Sequence, residues 1–297
     1  MQDSRPSQTA ALVAACRAGL GAELPPGTRL CDDPYGMLFS TLPRTGVGAV
    51  LRQPVVWAAL RTRPVLRMVL WMQVRTRYLD DALLAFVRGG GRQVVILGAG
   101  FDCRALRFAR ELEPATVFEV DHPATQASKL KILADAHVPP ARVQYVRMNF
   151  ETESVRDLPA KLAAAGHDPR QPTFTIWEGV TMYLTEAAIE GTVAAIRDYT
   201  CAGSELAFTY FDRNRLMRKS LATRISSVYV RRYGEPWRFG WVPDALGGWL
   251  PARGFALREN ANETSLAQRY LPADHARLFH DGGRYIALAV RKDGAVT

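Results

Sequence analysis

The chain has 297 residues, 48% of them hydrophobic, which is enough for one large domain with a buried core. No apolar stretch reaches the roughly 18 residues of a transmembrane helix, and the N-terminus lacks the basic and apolar regions of a signal peptide. Four separated cysteines suit a reducing cytoplasm and form no C-x-x-C pair, so we expect no metal site. Without an apolar span we expect no membrane partner. The net charge is +9, but the arginines are spread along the chain, so we expect no nucleic-acid partner.

The N-terminal third is predicted to be helical, because it shows helical apolar spacing and no strand pattern. Residues 7–18 predict one helix, and residues 54–69 and 72–87 predict two more, which three consecutive glycines then end. We therefore expect residues 1–90 to form a helical cap or lid.

From residue 91 onward the pattern alternates between short apolar runs and helical segments. This alternation predicts an α/β domain over residues 91–297, with a mainly parallel sheet covered by helices on both faces. A basic and aromatic segment at about 211–245 interrupts it and predicts an inserted lid. The predicted strands are 93–97, 115–120, 143–148, 173–178, 204–210, 255–258 and 285–291.

The first of these strands runs directly into Gly98, Ala99 and Gly100, and a helical pattern follows from about Arg104. A glycine turn between a strand and a helix is typical of a nucleotide-binding corner, because glycines permit close backbone approach and the helix N-terminus offers N–H groups. The dinucleotide fingerprint requires a third glycine where this chain has Cys103. The corner therefore fits S-adenosylmethionine (SAM), which has no pyrophosphate, better than NAD or FAD.

An acidic residue follows at the end of the second predicted strand. Asp121 lies about 20 positions after the glycine turn, where such a residue commonly binds ribose hydroxyls. Glu119 points to the same side by strand alternation and is expected to share this contact. The alternative is that Asp121 caps the helix that begins at Pro123.

Four blocks of the sequence together resemble the leucine carboxyl methyltransferase family of SAM-dependent O-methyltransferases. They are RTRYLDD at 75–81, VVILGAGFDCRALRF at 94–108, FEVDHPATQASK at 118–129 and WEGVTMYLT at 177–185. The resemblance implies a Rossmann-like sheet of seven strands whose last strand is antiparallel, with SAM as the cofactor. It covers roughly residues 70–210.

The resemblance also implies roles for individual residues. Gly98 and Gly100 would line the methionine and ribose of SAM, and Glu178 would face its amino group. Arg75 would pair with its carboxylate, with Arg77 as the alternative. The implied cofactor-binding residues are Arg75, Gly98, Ala99, Gly100, Asp102, Glu119, Asp121, Asn149, Phe150 and Glu178.

Each of these roles competes with a structural one, and two positions depart from the family pattern. Arg75 or Arg77 could instead form a salt bridge with Asp80 or Asp81 at helical spacing, and Glu178 could be a helix cap or part of a surface ion pair. Cys103 replaces the family's usual threonine. Asn149 and Phe150 would lie beside adenine, where the family usually has Asp-Leu, and an asparagine can still accept from the adenine amino group.

The family includes phosphatase methyltransferases and bacterial enzymes of polyketide and other secondary metabolism. We therefore expect O-methylation of a carboxylate or hydroxyl on a small molecule, by a monomer or a homodimer. A protein C-terminal carboxylate, an NAD-dependent oxidoreductase and a non-catalytic nucleic-acid-binding module are the alternatives. No catalytic residue is assigned, and the predicted substrate-binding residues are Tyr183, Tyr210, Arg213, Tyr229 and Trp237.

Overall fold

A single mixed sheet of seven strands forms the centre of the protein. The computed structural model describes residues 8–18, 24–40, 63–150, 152–217, 237–280 and 283–292. The strands are β1 Gln93–Leu97, β2 Thr116–Asp121, β3 Val143–Arg147, β4 Thr173–Trp177, β5 Glu205–Phe211, β6 Phe255–Asn262 and β7 Arg284–Arg291.

The strand order is β3-β2-β1-β4-β5-β7-β6. Strands β1 to β5 are parallel, and β7 lies antiparallel between β5 and β6. This arrangement confirms the predicted seven-stranded Rossmann-like sheet with an antiparallel last strand. Because the order reverses between β1 and β4, the chain leaves the carboxyl ends of these two strands in opposite directions, and a crevice forms at that edge.

Helices lie on both faces of this sheet. They are α1 Gln8–Ala18, α2 Gly36–Ser40, α3 Arg63–Arg88, α4 Arg104–Arg107, α5 Pro123–Asp135, α6 Leu158–Ala164, α7 Glu186–Tyr199, α8 Arg213–Met217, α9 Leu246–Trp249, α10 Glu263–Tyr270 and α11 Ala273–Ala276. Short 3-10 turns occur at Val155–Asp157, Thr181–Tyr183, Pro243–Ala245 and Pro251–Arg253.

Two hydrophobic cores cover the two faces of the sheet. Val94 and Ile96 of β1 belong to the core that contains the buried face of α3. Val95 and Leu97 point the other way and pack into the core that contains α6 and α7. All five residues of β1 are buried as a result, which explains why this strand is a continuous apolar run in the sequence.

Helix α3 corrects the prediction of two helices at 54–69 and 72–87. One helix of 26 residues runs through the expected break, because Leu70 and Trp71 are buried and continue its apolar face without a glycine or proline. Residues 54–62 lie outside the described residues. Since α3 packs directly on the sheet, it forms one of the sheet's covering layers, and the division at residue 90 stays a prediction.

Much of the predicted lid at 211–245 lies outside the described residues, including Tyr229.

Within the described ranges, no helix is long and apolar enough to cross a membrane. The expected cytoplasmic location stays a prediction.

The four cysteines are all free thiols, and they differ in accessibility. Burial raises the pKa of Cys16, Cys31 and Cys103 to about 12, whereas Cys201 is partly exposed. Because the thiolate is the reactive form, we expect one rapidly reacting thiol in the folded protein and four in denaturant. Titration with a chromogenic disulfide near neutral pH measures both numbers. A Cys201→Ser variant with an undiminished fast phase would contradict this expectation.

Candidate active site

A cavity of about 460 Å³ opens at the carboxyl edge of the sheet, beside the ends of β1, β2 and β4. It falls within the size range of ligand pockets and lies at the point where open α/β sheets bind their ligands. Most of the residues that were predicted to bind the cofactor line this cavity. They are Arg75, Gly98, Ala99, Gly100, Asp102, Asp121, Asn149, Phe150 and Glu178.

The glycine corner forms one wall of this cavity, and its shape requires glycine. Gly98 and Gly100 have φ angles of +65° and +54°, which other residues rarely adopt. A Cβ atom on Gly98 would lie 2.6 Å from Cγ2 of Val180. The N–H groups of Gly98 and Ala99 both donate to the Val120 carbonyl, at 2.9 and 3.2 Å, and hold the turn against β2.

The helix after the corner differs from the prediction. Helix α4 has a single turn, Arg104–Arg107, and the Arg104 N–H donates to Oδ1 of Asp102 at 2.7 Å. The Asp102 side chain therefore occupies the first N–H donor of this helix, and a helix of one turn offers a ligand few others. The corner contributes close approach of the backbone, and Cys103 is buried behind it.

Asp121 lies at the end of β2, with its carboxylate fixed by two backbone donors. Oδ2 accepts from the Gly100 N–H and Oδ1 from the His122 N–H, both at 2.6 Å. Burial raises the pKa of Asp121, and these two hydrogen bonds oppose the increase. The capping alternative is wrong, because Nδ1 of His122 accepts from the Ala124 N–H and caps α5 instead. Each Asp121 oxygen retains a second lone pair for a ligand.

Glu119 corrects the prediction that two acidic residues share the ribose contact. Its side chain is 2% exposed and lies 2.6 Å from Nζ of Lys129, which α5 places over this part of the sheet. Lys129 also donates to the Asp102 carbonyl at 2.5 Å. Glu119 therefore belongs to a buried ion pair behind the cavity and does not line it.

Glu178 follows β4 and pairs with two arginines that are distant in sequence. Its Oε1 lies 2.6 Å from Nε of Arg75, and its Oε2 lies 2.9 Å from Nη1 of Arg104. Burial favours a higher pKa for Glu178, but the two guanidinium groups hold it below its usual value.

The ion-pair alternative for Arg77 is confirmed, because its Nε donates to Asp81 at 2.9 Å on the exposed side of α3.

Arg104 is the centre of a buried charge network that the sequence did not reveal. Besides Glu178, it contacts Asp102, and its Nε donates to Asp80 at 2.7 Å. Burial opposes ionisation of Asp102, but Arg104 and neighbouring cations lower its pKa to about 2. Arg107 donates to the second oxygen of Asp80 at 2.6 Å. This network fixes Glu178 and the glycine corner relative to α3.

Arg17 is a second residue that the sequence did not identify. Helix α1 places it in the cavity wall, where it pairs with Asp33 and donates to the Phe101 carbonyl at 2.8 Å. The N-terminal helix is thereby tied to the glycine corner. A single arginine in an alanine-rich helix offers no sequence signal for such a contact.

The predicted substrate-binding residues divide into two groups. Tyr183 lines the cavity, and its contact with a substrate stays a prediction. Tyr210 does not, because it is 2% exposed and its hydroxyl donates to Asn260 at 2.8 Å. Trp237 packs against Phe211 with ring centroids 4.9 Å apart, and Arg213 is an exposed residue beyond the cavity lining.

The strand order, the glycine corner and the acidic residue after β2 define the class of SAM-dependent methyltransferase folds. The model of the leucine carboxyl methyltransferase family matches residues 10–197, and the chain belongs to this family.

Two relatives are similar over most of their length. A Frankia alni protein named as an S-adenosyl-L-methionine-dependent methyltransferase is 35% identical over 236 residues, covering 78% of this chain and 79% of that protein. A protein of Mycolicibacterium smegmatis with the same designation is 34% identical over 287 residues, covering 93% and 92%.

Solved structures support the fold alone. A methyltransferase-type protein from Thermobifida fusca has a TM-score of 0.58 at 16% identity and covers 95% of this chain and 94% of that one. A DUF574 family protein from Streptomyces avermitilis has a TM-score of 0.55 at 16% identity and covers 76% and 86%.

Proposed function

We propose that this protein transfers a methyl group from SAM to an oxygen atom of a small molecule, in secondary metabolism. One observation carries the proposal. The glycine corner, the fixed carboxylate of Asp121 and the ion pair of Glu178 with Arg75 all line the same cavity. Family membership supports the methyl donor and leaves the alternative of an NAD-dependent oxidoreductase without support.

The cavity residues match the parts of SAM in chemical type. Asp121 would accept hydrogen bonds from the ribose hydroxyls, and Glu178 would attract the amino group. Arg75, with Arg17 beside it, would attract the carboxylate. When bound, SAM supplies a methyl group that its sulfonium charge already activates. The absence of a side chain at Gly98 leaves the space that the Val180 side chain occupies, so Val180 can lie directly against the glycine turn in the cavity wall.

Oxygen is the acceptor atom that the family favours. Among oxygen acceptors, a carboxylate requires the least catalytic help from the protein. An ionised carboxylate oxygen can attack the methyl carbon without a base, whereas a phenol, with a pKa of about 10, requires one. The cavity histidine, His122, already accepts a hydrogen bond at Nδ1 as a helix cap. The protein's main task is therefore to align acceptor and donor.

A small-molecule acceptor is supported by the lining of the cavity. Val13, Val180 and Leu184 contribute apolar side chains, so the cavity can enclose a hydrophobic molecule and exclude water. The alternative acceptor is a protein C-terminal carboxylate. Incubation with methyl-labelled SAM and a cell extract separates the two, because label on small molecules dissolves in acid and label on protein precipitates.

The methyl-donor proposal predicts a ligand-specific increase in thermal stability. SAM and S-adenosylhomocysteine, at about 100 times their Kd, are each expected to stabilise the folded protein by about 2.7 kcal/mol, and NAD is expected to have no effect. Thermal unfolding with each ligand measures this effect. Stabilisation by NAD but not by SAM would overturn the proposal.

A further inference from the structure

His122 is a half-buried cavity residue between Asp121 and helix α5. Its backbone N–H donates to Oδ1 of Asp121 at 2.6 Å. Its ring Nδ1 accepts from the Ala124 N–H at 3.1 Å and so caps the amino end of α5. These two hydrogen bonds fix the imidazole relative to both the Asp121 carboxylate and the helix.

The capping bond also determines which ring nitrogen of His122 carries a proton. A backbone N–H can only donate, so Nδ1 must offer its lone pair to Ala124. In the neutral imidazole the proton then lies on Nε2, because one ring nitrogen donates when the other accepts. Since Nδ1 faces α5, the Nε2–H group is the polar corner of the ring that is left for the cavity. His122 thus adds a donor beside the carboxylate of Asp121, which only accepts.

The strand order places His122 between two other parts of the cavity wall. Strands β3, β2 and β1 are neighbours in this order, and the glycine corner follows β1, whereas His122 follows β2. Asn149 and Phe150 follow β3 and line the same cavity. Phe150 is 40% exposed, so its ring offers an apolar surface to a planar group. A nucleoside with its ribose at Asp121 can therefore extend its base past His122 toward Phe150.

We propose that Nε2–H of His122 donates a hydrogen bond to N3 of the purine base and so contributes to selection of the cofactor. The inference rests on the proposed function and adds a specificity-determining residue to it. N3 is separated from the glycosidic nitrogen by one carbon, so it lies on the side of the base that is nearest the ribose and Asp121. It carries a lone pair and no proton, so it matches the donor of His122.

The substitution H122N separates the proposed donor from the helix cap. Asparagine is among the most favourable N-cap residues, because its Oδ1 can accept from the same backbone N–H. Its amide nitrogen is one bond nearer the backbone than Nε2 of histidine and does not reach the position of the lost donor. H122N is therefore expected to keep the Tm of wild type, whereas H122A, which also loses the cap, is expected to unfold at a lower temperature.

The binding test compares S-adenosylhomocysteine with its 3-deaza analogue, in which a C–H group replaces N3. Wild type is expected to prefer S-adenosylhomocysteine by roughly 2- to 10-fold, the range of one net hydrogen bond between neutral groups. H122N is expected to bind S-adenosylhomocysteine more weakly by this factor and to lose the preference. Isothermal titration calorimetry measures each Kd. No preference in wild type, or the same preference in H122N as in wild type, would overturn the inference.

A second measurement observes the imidazole itself. In protein with isotope-labelled histidine, NMR correlation spectra at about pH 8, where ordinary histidines are neutral, distinguish a protonated ring nitrogen from an unprotonated one. The signals of His122 are identified by their absence from H122N. They are expected to show the proton on Nε2, and S-adenosylhomocysteine should shift this nitrogen more than the 3-deaza analogue does. A proton on Nδ1 would contradict the inference.

The matched control is H137N, which makes the same replacement at the exposed carboxyl end of α5. His137 has a φ angle of +56°, a conformation that asparagine adopts readily, so the backbone should tolerate the change. This variant should keep the wild-type preference for S-adenosylhomocysteine. Failure of wild type to bind S-adenosylhomocysteine at all would reject the proposed function itself, whereas binding without discrimination at N3 would reject only the role of His122.

Discussion

Replacing Arg104 by methionine is expected to lower the free energy of unfolding by about 3–5 kcal/mol, because buried ion pairs that lose one partner leave uncompensated charge. Arg104 is 1% exposed and contacts the carboxylates of Asp80, Asp102 and Glu178. Methionine preserves much of the side-chain volume, so the loss reports on charge more than on packing. Urea denaturation of both proteins measures the difference.

The matched control is Arg77→Met in helix α3, which breaks an exposed pair with Asp81. Exposed pairs at this helical spacing contribute only about 0.3–0.5 kcal/mol, so this variant should remain close to wild type. If the Arg104 variant were as stable as the Arg77 variant, the network would not support the fold as described.

The cost of the Arg104 substitution should also depend on pH. The pKa of Asp102 is lowered from its ordinary value of 3.8 to about 2 in the folded protein. A carboxyl group whose pKa is lower in the folded state than in the unfolded state stabilises the folded protein at pH values above its unfolded-state pKa. This contribution is lost as the pH falls toward the folded-state pKa. The stability difference between wild type and the variant should therefore narrow between about pH 4 and pH 2.

Replacing Asp121 by alanine is expected to weaken SAM binding by about 1–3 kcal/mol, which corresponds to roughly 5- to 150-fold in Kd. The reason is the loss of charge-assisted hydrogen bonds to the ribose hydroxyls. Isothermal titration calorimetry measures the change. Unchanged affinity would refute the assignment of the ribose site.

Asp121 also accepts from Gly100 and His122, so its removal could act through the corner and not through the ribose. An analogue of S-adenosylhomocysteine that lacks both ribose hydroxyls separates the two effects. If Asp121 contacts the ribose, this analogue should bind wild type and variant with equal affinity. An equally large loss for the analogue would indicate that the corner itself had collapsed.

The sequence predicted the sheet and the glycine corner because both depend on local patterns. Continuous apolar runs mark strands that are buried on both faces, and positive φ angles at Gly98 and Gly100 require glycine wherever they occur. Asp121 could be placed at the cavity for the same reason, since the end of β2 sets its location. The resemblance of four blocks to one family added the cofactor.

Only the tertiary structure decided which side chains face the cavity. Glu119 and Asp121 share one side of β2, yet Lys129 from α5 covers the first and leaves the second accessible. Arg17 and Arg238 reach the cavity through contacts with Phe101 and Met182, which are far from them in the chain. Local patterns specify elements, but the pairing of charges across elements depends on how those elements pack. That packing determines which groups remain available to a ligand.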